Sequence, residues 1–325
     1  MKLLLVGDPH IRHTHLIDGK KLLTWVESKA TELKPDLVIN LGDTFDTHSV
    51  VRAEVLSEVY RHVLGVSKIA PYAMILGNHD CWKPSDSTYH ALEVFKSINN
   101  VVVADRPVVY EGISLVPFLP DPKKWPLAPN GGIALTHNTF IGADYGFKIA
   151  DGGVPLEAAE CFDLVVSGHI HKRQDLGNVH YVGTPMAISA AEVDQIKGLT
   201  LLETETLERT FIPSPFPCWR SASIAVGDPL PELNEKDYWI LKVKGTKADI
   251  KSLSSSREFD DLLKRCSVSL RIEALDREKV QRTRITSGTV TEMVEKYVDV
   301  IYSGNIDKSE LKTALRKSLE EAGIE

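Results

Sequence analysis

An α/β fold is predicted over roughly the first 200 residues, followed by a small α+β unit and two C-terminal helices. Three observations predict it. Short β-rich runs alternate with stretches at helical spacing, a proline-rich break interrupts that alternation, and polar clusters recur just after the β-rich runs. The strand candidates are Lys2–Val6, Leu37–Leu41, Tyr72–Leu76, Val101–Val103, Ile113–Val116, Ile133–Thr136, Leu164–Ser167 and Val179–Val182. The helix candidates are Gly19–Leu33, Val51–Leu64 and Tyr89–Ile98. In the first of these, Leu22, Leu23, Trp25, Val26, Ala30 and Leu33 form an apolar stripe. The break is Pro213-Ser214-Pro215-Phe216-Pro217. Beyond it a strand at Tyr238–Lys244, a helix at Ala248–Cys266 and a strand at Ser267–Ala274 make the α+β unit. The implied organisation is 1–217, 218–287 and 288–325.

With 325 residues, 43% of them hydrophobic, the chain can bury a sizeable core. The apolar start Met1–Val6 ends in Gly7-Asp8 and is too short for a signal-peptide core, so it reads as a buried strand. No stretch approaches the roughly 18 apolar residues of a membrane span. The four cysteines are scattered and form no C-x-x-C pair, which predicts reduced thiols and a cytoplasmic protein. Net charge is −7, all of it from residues 1–218, where 19 Lys and Arg face 26 Asp and Glu. The remaining residues balance at 19 against 19, with 219–289 mildly basic at 14 against 11. That distribution excludes a free-standing nucleic-acid binder of the basic kind. An acidic domain meets a polyanion only if bound cations offset its charge.

Five clusters each follow a strand candidate: Asp8-Pro9-His10, Gly42-Asp43-Thr44-Phe45-Asp46, Gly77-Asn78-His79-Asp80, His137-Asn138 and Gly168-His169-Ile170-His171. In open α/β sheets, loops at the carboxyl ends of strands converge on one ligand site. Imidazole, carboxylate and carboxamide donors without thiolates suit manganese, iron or zinc in a reactive centre rather than a structural zinc site. Asp8 and His10 are expected to reach one ion from the same side of an extended strand end. Gly42, Gly77 and Gly168 are expected where the backbone turns sharply or comes close to the metals. Any one such cluster could be a turn or a cap; five at successive strand ends point to a site. The other histidines (His13, His15, His48, His62, His90 and His180) read as packing or surface residues. His13 and His15 follow the first cluster closely enough to meet a substrate.

In this order the clusters resemble the calcineurin-like metallophosphoesterases. That resemblance implies two β-sheets packed face to face with helices outside, and two divalent ions, manganese or alternatively magnesium. It implies Asp8, His10, Asp43 and His171 around one ion, and Asp43, Asn78, His137 and His169 around the other, with Asp43 shared. It also implies that His79 stands over the phosphate as proton donor or charge stabiliser without binding metal.

Gly-Asp-x-Phe-Asp-Thr over 42–47, Gly-Asn-His-Asp and Tyr181-Val182-Gly183-Thr184-Pro185 are similar to the SbcD-type nucleases and their phage counterparts. That narrower likeness implies a DNA exonuclease and endonuclease of repair, recombination or phage replication. It implies a homodimer joined to a coiled-coil ABC ATPase of the SbcC type. The sequence departs from the pattern at Asp8-Pro9-His10-Ile11-Arg12, which lacks the usual glycine. Asp46 fits the SbcD-type pattern, whereas relatives outside that branch often carry histidine there, and Asp46 is expected to orient a neighbouring ligand. The short chain suits a phage version.

The α+β unit is expected to cap the site and touch DNA through Lys242 and Lys244, which alternate on one strand, and through Arg282 and Arg284. Val290, Met293, Val294, Tyr297, Val298 and Ile301 form an apolar stripe expected to dock the ATPase. A second helix after Asp307 is expected to carry Leu311, Ala314, Leu315 and Leu319. The competing expectations are a small-molecule or protein phosphoesterase with the same metal site, and a non-catalytic protein that has kept the fold.

Overall fold

The computed structural model describes residues 1–126, 131–274, 290, 295, 298–299 and 307–321. These fall into two compact units, Met1–Glu273 and Ala274–Glu325. The first unit opens with β1 (Lys2–Val6), α1 (Leu16–Leu33), β2 (Leu37–Asn40), α2 (Ala53–Val66) and β3 (Tyr72–Ile75). A hairpin of β4 (Cys81–Lys83) and β5 (Asp86–His90) follows, then β6 (Val101–Ala104). Next come β7 (Val108–Tyr110), β8 (Ile113–Val116), β9 (Ile133–Thr136), β10 (Leu164–Ser167), β11 (Gln174–Leu176), β12 (Val179–Tyr181), β13 (Gly198–Glu203) and β14 (Arg209–Pro213). The strands build two six-stranded mixed sheets, ordered β14-β13-β1-β2-β3-β6 and β11-β12-β10-β9-β8-β7. Within the first, β1, β2, β3 and β6 run parallel; within the second, β8, β9, β10 and β12 do.

The alternation of side chains along each strand explains why the runs are apolar throughout. Leu3, Leu5, Leu37, Ile39, Ala73 and Ile75 face Leu115, Leu135, Leu164 and Val166 of the second sheet and form the layer between the sheets. Leu4, Val38 and Met74, one residue out of step, pack beneath Leu22 and Val26 of α1 and Val59 and Val63 of α2. Ala134, Val165, Val179 and Tyr181 form the corresponding outer layer of the second sheet with Phe140 and Phe162. A strand covered on both faces needs apolar residues at every position.

The third sheet, β15 (Trp219–Ala225), β16 (Tyr238–Gly245) and β17 (Ser267–Ala274), is packed by α3 (Lys247–Ser254) and α4 (Arg257–Arg265). Its own core is Ile224, Leu241, Val243, Ile250, Phe259 and Leu262. In the second unit, α5 (Lys308–Glu321) is capped by Asp307, whose Oδ1 accepts from the backbone of Ser309 at 2.8 Å and of Glu310 at 3.2 Å. Met293, Val294, Tyr297, Ile301 and the boundary expected at 287/288 lie outside the described residues.

Three expectations are corrected. The helix expected at Tyr89–Ile98 is the end of β5 followed by a 3₁₀ segment, Ala91–Ser97. Leu92 and Phe95 lie three apart and both turn inward, a spacing that 3₁₀ geometry serves as well as α. The helix expected at Ala248–Cys266 is two, because Ser255 and Ser256 end α3, and the Ser256 side chain then caps α4 through Phe259 N. Six strands among polar or edge residues, β4, β5, β7, β11, β14 and β15, escaped the apolar-run criterion, as did β13. Among the described residues no helix is long and apolar enough to cross a membrane.

Candidate metal centre

Every cluster lies at the carboxyl end of a parallel strand: Asp8 and His10 after β1, Asp43 and Asp46 after β2, Asn78 and His79 after β3, His137 after β9, and His169 and His171 after β10. Backbone pairing draws the first two loops together, with His10 N donating to Asp43 O at 3.0 Å and Ile11 N to Thr44 O at 2.9 Å. Asp80 ties the second loop to the third by accepting from Phe45 N at 3.1 Å and Gly77 N at 3.0 Å.

Asp8, His10, Asp43 and His169 all adopt left-handed backbone, with φ of 37°, 44°, 48° and 72°. This corrects the expectation that Asp8 and His10 project from an extended strand end: tight reversals aim them. Non-glycine residues rarely adopt such angles, at a cost of order 1–3 kcal/mol each, and they persist where the surroundings over-determine them. The glycines turn the backbone sharply, as at Gly42, and leave room for the side chains of the site. A Cβ on Gly77 would stand 2.2 Å from Asp43 N and Oδ1. One on Gly42, itself at φ +109°, would stand 2.3 Å from His137 Nδ1.

The donors form two clusters that share an edge. Asp8, His10 and His171 offer ligand atoms within 4.8 Å of one another, and so do Asp43, His137 and His169. His10 Nε2 is 3.1 Å from His171 Nε2 and 3.6 Å from Asp43 Oδ2. His137 Nε2 lies 3.2 Å from both Asp43 Oδ2 and His169 Nδ1, and 3.3 Å from Asn78 Oδ1. Asp43 Oδ2 therefore stands between the clusters. Its Oδ1 accepts from His79 N at 2.8 Å.

His79 Nδ1 is engaged by the carbonyl of Asp46 at 2.7 Å, and its ring is edge-on to His10 at 4.8 Å and stacked on His48 at 4.4 Å. Its ligand atom also falls within 4.8 Å of donors from His10 and Asp43. Asp46 Oδ1 lies 3.4 Å from His10 Nδ1, and Asp46 Oδ2 lies 3.8 Å from Arg12.

The electrostatics of the protein groups are frustrated in the way a cation would relieve. Burial pushes the Asp8 carboxyl up, and its Oδ2 is buried with no hydrogen-bond partner. Burial also opposes ionisation of Asp43, yet His137, His10 and His79 hold its carboxyl below the ordinary range. His137 is held up at about 9 against burial by Asp43 and Asp8. Burial and the charge of His137 push His169 down to about 3. Imidazole nitrogens facing each other at 3.1–3.2 Å need a proton or a cation between them. The donor set, its spacing and the orphaned carboxylate oxygen fit two divalent ions.

Several supporting residues carry no signal in the local sequence. Glu192 Oε1 lies 2.7 Å from His171 Nδ1, and its Oε2 accepts from Ile188 N at 3.0 Å and faces buried Lys197 Nζ at 3.0 Å. His137 Nδ1 is held by the Leu41 carbonyl at 2.7 Å. Such outer partners fix which nitrogen is free to bind. Asp80 sits inside the third cluster, but its role as a tie between loops shows only in three dimensions. His48, read as packing or surface, stacks on His79.

Among the remaining histidines, His62 pairs with Glu27 at 2.9 Å and His180 with Asp175 at 2.7 Å, as packing residues do. His90, Glu93 and Asp105 form a further acidic group, but Lys96 Nζ already occupies it at 2.7 and 2.6 Å. Lys242 and Lys244 lie on β16, outside the cluster, with Lys244 Nζ 3.5 Å from Glu273. Arg282 and Arg284 lie outside the described residues.

A two-sheet α/β fold with paired His/Asp clusters at its strand ends defines a metal-dependent phosphoesterase. Residues 1–173 match the calcineurin-like phosphoesterase family, and the chain belongs to it. Exonuclease subunit 1 of Enterobacteria phage T4 is 28% identical over 197 residues, 54% of this chain and 55% of that protein. The chain thus matches little more than half of that relative's length. The inferred phosphoesterase 244L of Invertebrate iridescent virus 6 is 25% identical over 220 residues, 62% of this chain and 75% of the viral protein. The D subunit of the SbcCD nuclease from Staphylococcus epidermidis is 24% identical over 268 residues, 66% of this chain and 69% of the staphylococcal protein.

Proposed function

We propose that the chain is a two-metal DNA phosphodiesterase, the nuclease subunit of a larger DNA-end-processing assembly. The observation that carries the chemistry is Asp43 Oδ2 standing between two clusters of buried donors. Asp8, His10, Asp43 and His171 would hold one divalent ion, and Asp43, Asn78, His137 and His169 the other. When bound, such a pair supplies Lewis-acid stabilisation of phosphoryl oxygens and a nucleophile at neutral pH. The protein's own groups do the rest. Glu192 and the Leu41 carbonyl set the rotamers of His171 and His137. Asp46 holds His79 through its carbonyl, leaving Nε2 as the atom that can give a proton to a departing alkoxide. Burial lowers the His79 pKa, with Asp43 opposing, which makes its protonated form the stronger acid.

A nucleic-acid substrate and a partner subunit are supported by the relatives, two of which are named as subunits of nucleases, and the ATPase identity of that partner rests on the motif resemblance. The three-stranded unit appended after residue 217 supports a polymeric substrate, since a small phosphoester needs no such addition. A homodimer joined to a coiled-coil ABC ATPase through the C-terminal segment completes the proposal. Truncation after Ser287 should abolish co-purification with that ATPase while sparing manganese-dependent nicking of single-stranded DNA.

The test incubates purified protein with manganese and end-labelled single- and double-stranded DNA, alongside chromogenic phosphomonoester and diester substrates. Metal-dependent DNA cleavage is the expected result. Hydrolysis of the small esters with DNA untouched would favour the small-substrate reading, and no hydrolysis at all would overturn both.

A further inference from the structure

Beside the metal centre lies a cavity of 450 Å³ that opens onto His10. One wall is the start of α1 and the loop before it, with Arg12, His15 and Lys21. The facing wall is aromatic: Phe216, Trp219 and Tyr238, from the segment entering the third sheet and its first two strands. Trp219 and Tyr238 are register partners across β15 and β16, their rings 5.2 Å apart. Phe216 is set edge-on against Trp25 of α1 at 5.6 Å. Tyr238 is 37% exposed, and Trp219 is only half-buried.

The wall is fixed relative to the centre. Asp194 N donates to Trp219 O at 2.8 Å, and both Asp194 carboxylate oxygens accept from Ser221, at 3.1 and 2.6 Å. Arg12 is likewise set at the mouth, donating to Ile188 O at 3.0 Å and lying 3.8 Å from Asp46 Oδ2.

We propose that this cavity stacks one unpaired nucleobase adjacent to the scissile phosphate, with Trp219 as its platform. The inference rests on the nuclease reading and names how the substrate strand is gripped. A phosphate at the metal centre places the neighbouring nucleoside within reach of a cavity that begins at His10. Aromatic faces accept any base by stacking, and Arg12 and His15 suit the flanking phosphates, while Lys21 Nζ is held by Asp18, also in the lining, at 2.9 Å. The volume falls in the range of roughly 300–1,000 Å³ that encloses a small ligand, too little for a base pair with its backbones. A base reaches a side cavity only after leaving its stack, so single strands, frayed ends and gaps are the favoured substrates.

The experiment compares manganese-dependent cleavage of three single-stranded oligonucleotides. One is intact, one carries a stable abasic residue on the 5′ side of the cleaved phosphate, and one carries it on the 3′ side. Wild-type protein should lose about tenfold in kcat/KM on one abasic substrate, the size expected of one lost stacking contact. Trp219→Ala should cleave the intact strand as slowly as that abasic one, and Trp219→Phe should restore the discrimination. Equal wild-type rates on all three strands, or full discrimination by Trp219→Ala, would overturn the proposal and leave the wall to a protein segment. Failure of wild-type protein to cleave the intact strand at all would instead remove the nuclease reading beneath it.

Discussion

The part that carries the candidate metal centre and the three-stranded unit are built from similar elements but differ in where their backbones are strained. Among the described residues through the end of β14, ten non-glycine residues take left-handed φ, and four of them are Asp8, His10, Asp43 and His169. Among the described residues from 218 to 274, only a glycine, Gly227, does so. The first region also buries many charged and polar groups around the site, whereas the second pairs its apolar core with one buried carboxylate, Asp237, held by Cys218 N, Asn234 and Arg220. Left-handed non-glycine backbone and clustered buried charge in one region, against a single paired carboxylate in the other, is the distribution expected when one region holds the reactive groups and the other presents a surface.

The comparison breaks most severely at Asp43. Asp43→Ala removes the one oxygen between both clusters and should abolish two-ion binding and hydrolysis together. Calorimetric titration with manganese checks it; retention of two ions at near-normal affinity would refute the shared role. His79→Gln should lower kcat by about 10²–10⁴-fold with metal content unchanged, the range for a general acid. Metal loss by that variant would make His79 a ligand instead, as its proximity to His10 and Asp43 permits. Glu192→Ala should cost about 10–100-fold in metal affinity or activity, because His171 loses the partner that orients it. It also strands Lys197 in a buried position, so a thermal melt belongs beside the metal titration.

The three-stranded unit should respond more weakly and only to polymers. Replacing Lys242 and Lys244 together by alanine should reduce the salt dependence of DNA binding by up to about two phosphate contacts. The Lys244–Glu273 pair reduces the second lysine's share. An unchanged slope would remove this surface from the DNA path.

The smallest effect concerns stability away from both sites. Burial pushes His180 down to about 4, against the pull of Asp175, while an unfolded histidine titrates near 6.5. The unfolded chain then binds the proton first. The stabilising contribution is complete above about pH 6.5, is lost progressively as pH falls towards 4, and changes no further below that. His180→Gln should flatten the dependence of thermal stability on pH across that window relative to wild type.

Much of this site was legible because its residues cluster in sequence. Asp8 and His10, Asp43 and Asp46, Asn78 and His79, and His169 and His171 each leave one strand together, and a strand's carboxyl end is where an α/β sheet gathers ligands. The apolar runs at Lys2–Val6, Ile113–Val116, Ile133–Thr136 and Leu164–Ser167 were equally plain, since strands covered on both faces tolerate little else. What the sequence determined by itself was therefore the donor set, the strands that carry it and the family's chemistry. The left-handed turns that aim Asp8 and His10, and the pairing of Glu192 with His171, were decided only by the tertiary structure. So was the cavity that joins His10 to Trp219. Those depend on segments far apart in the chain meeting at short distance, and no local pattern encodes which partner will arrive.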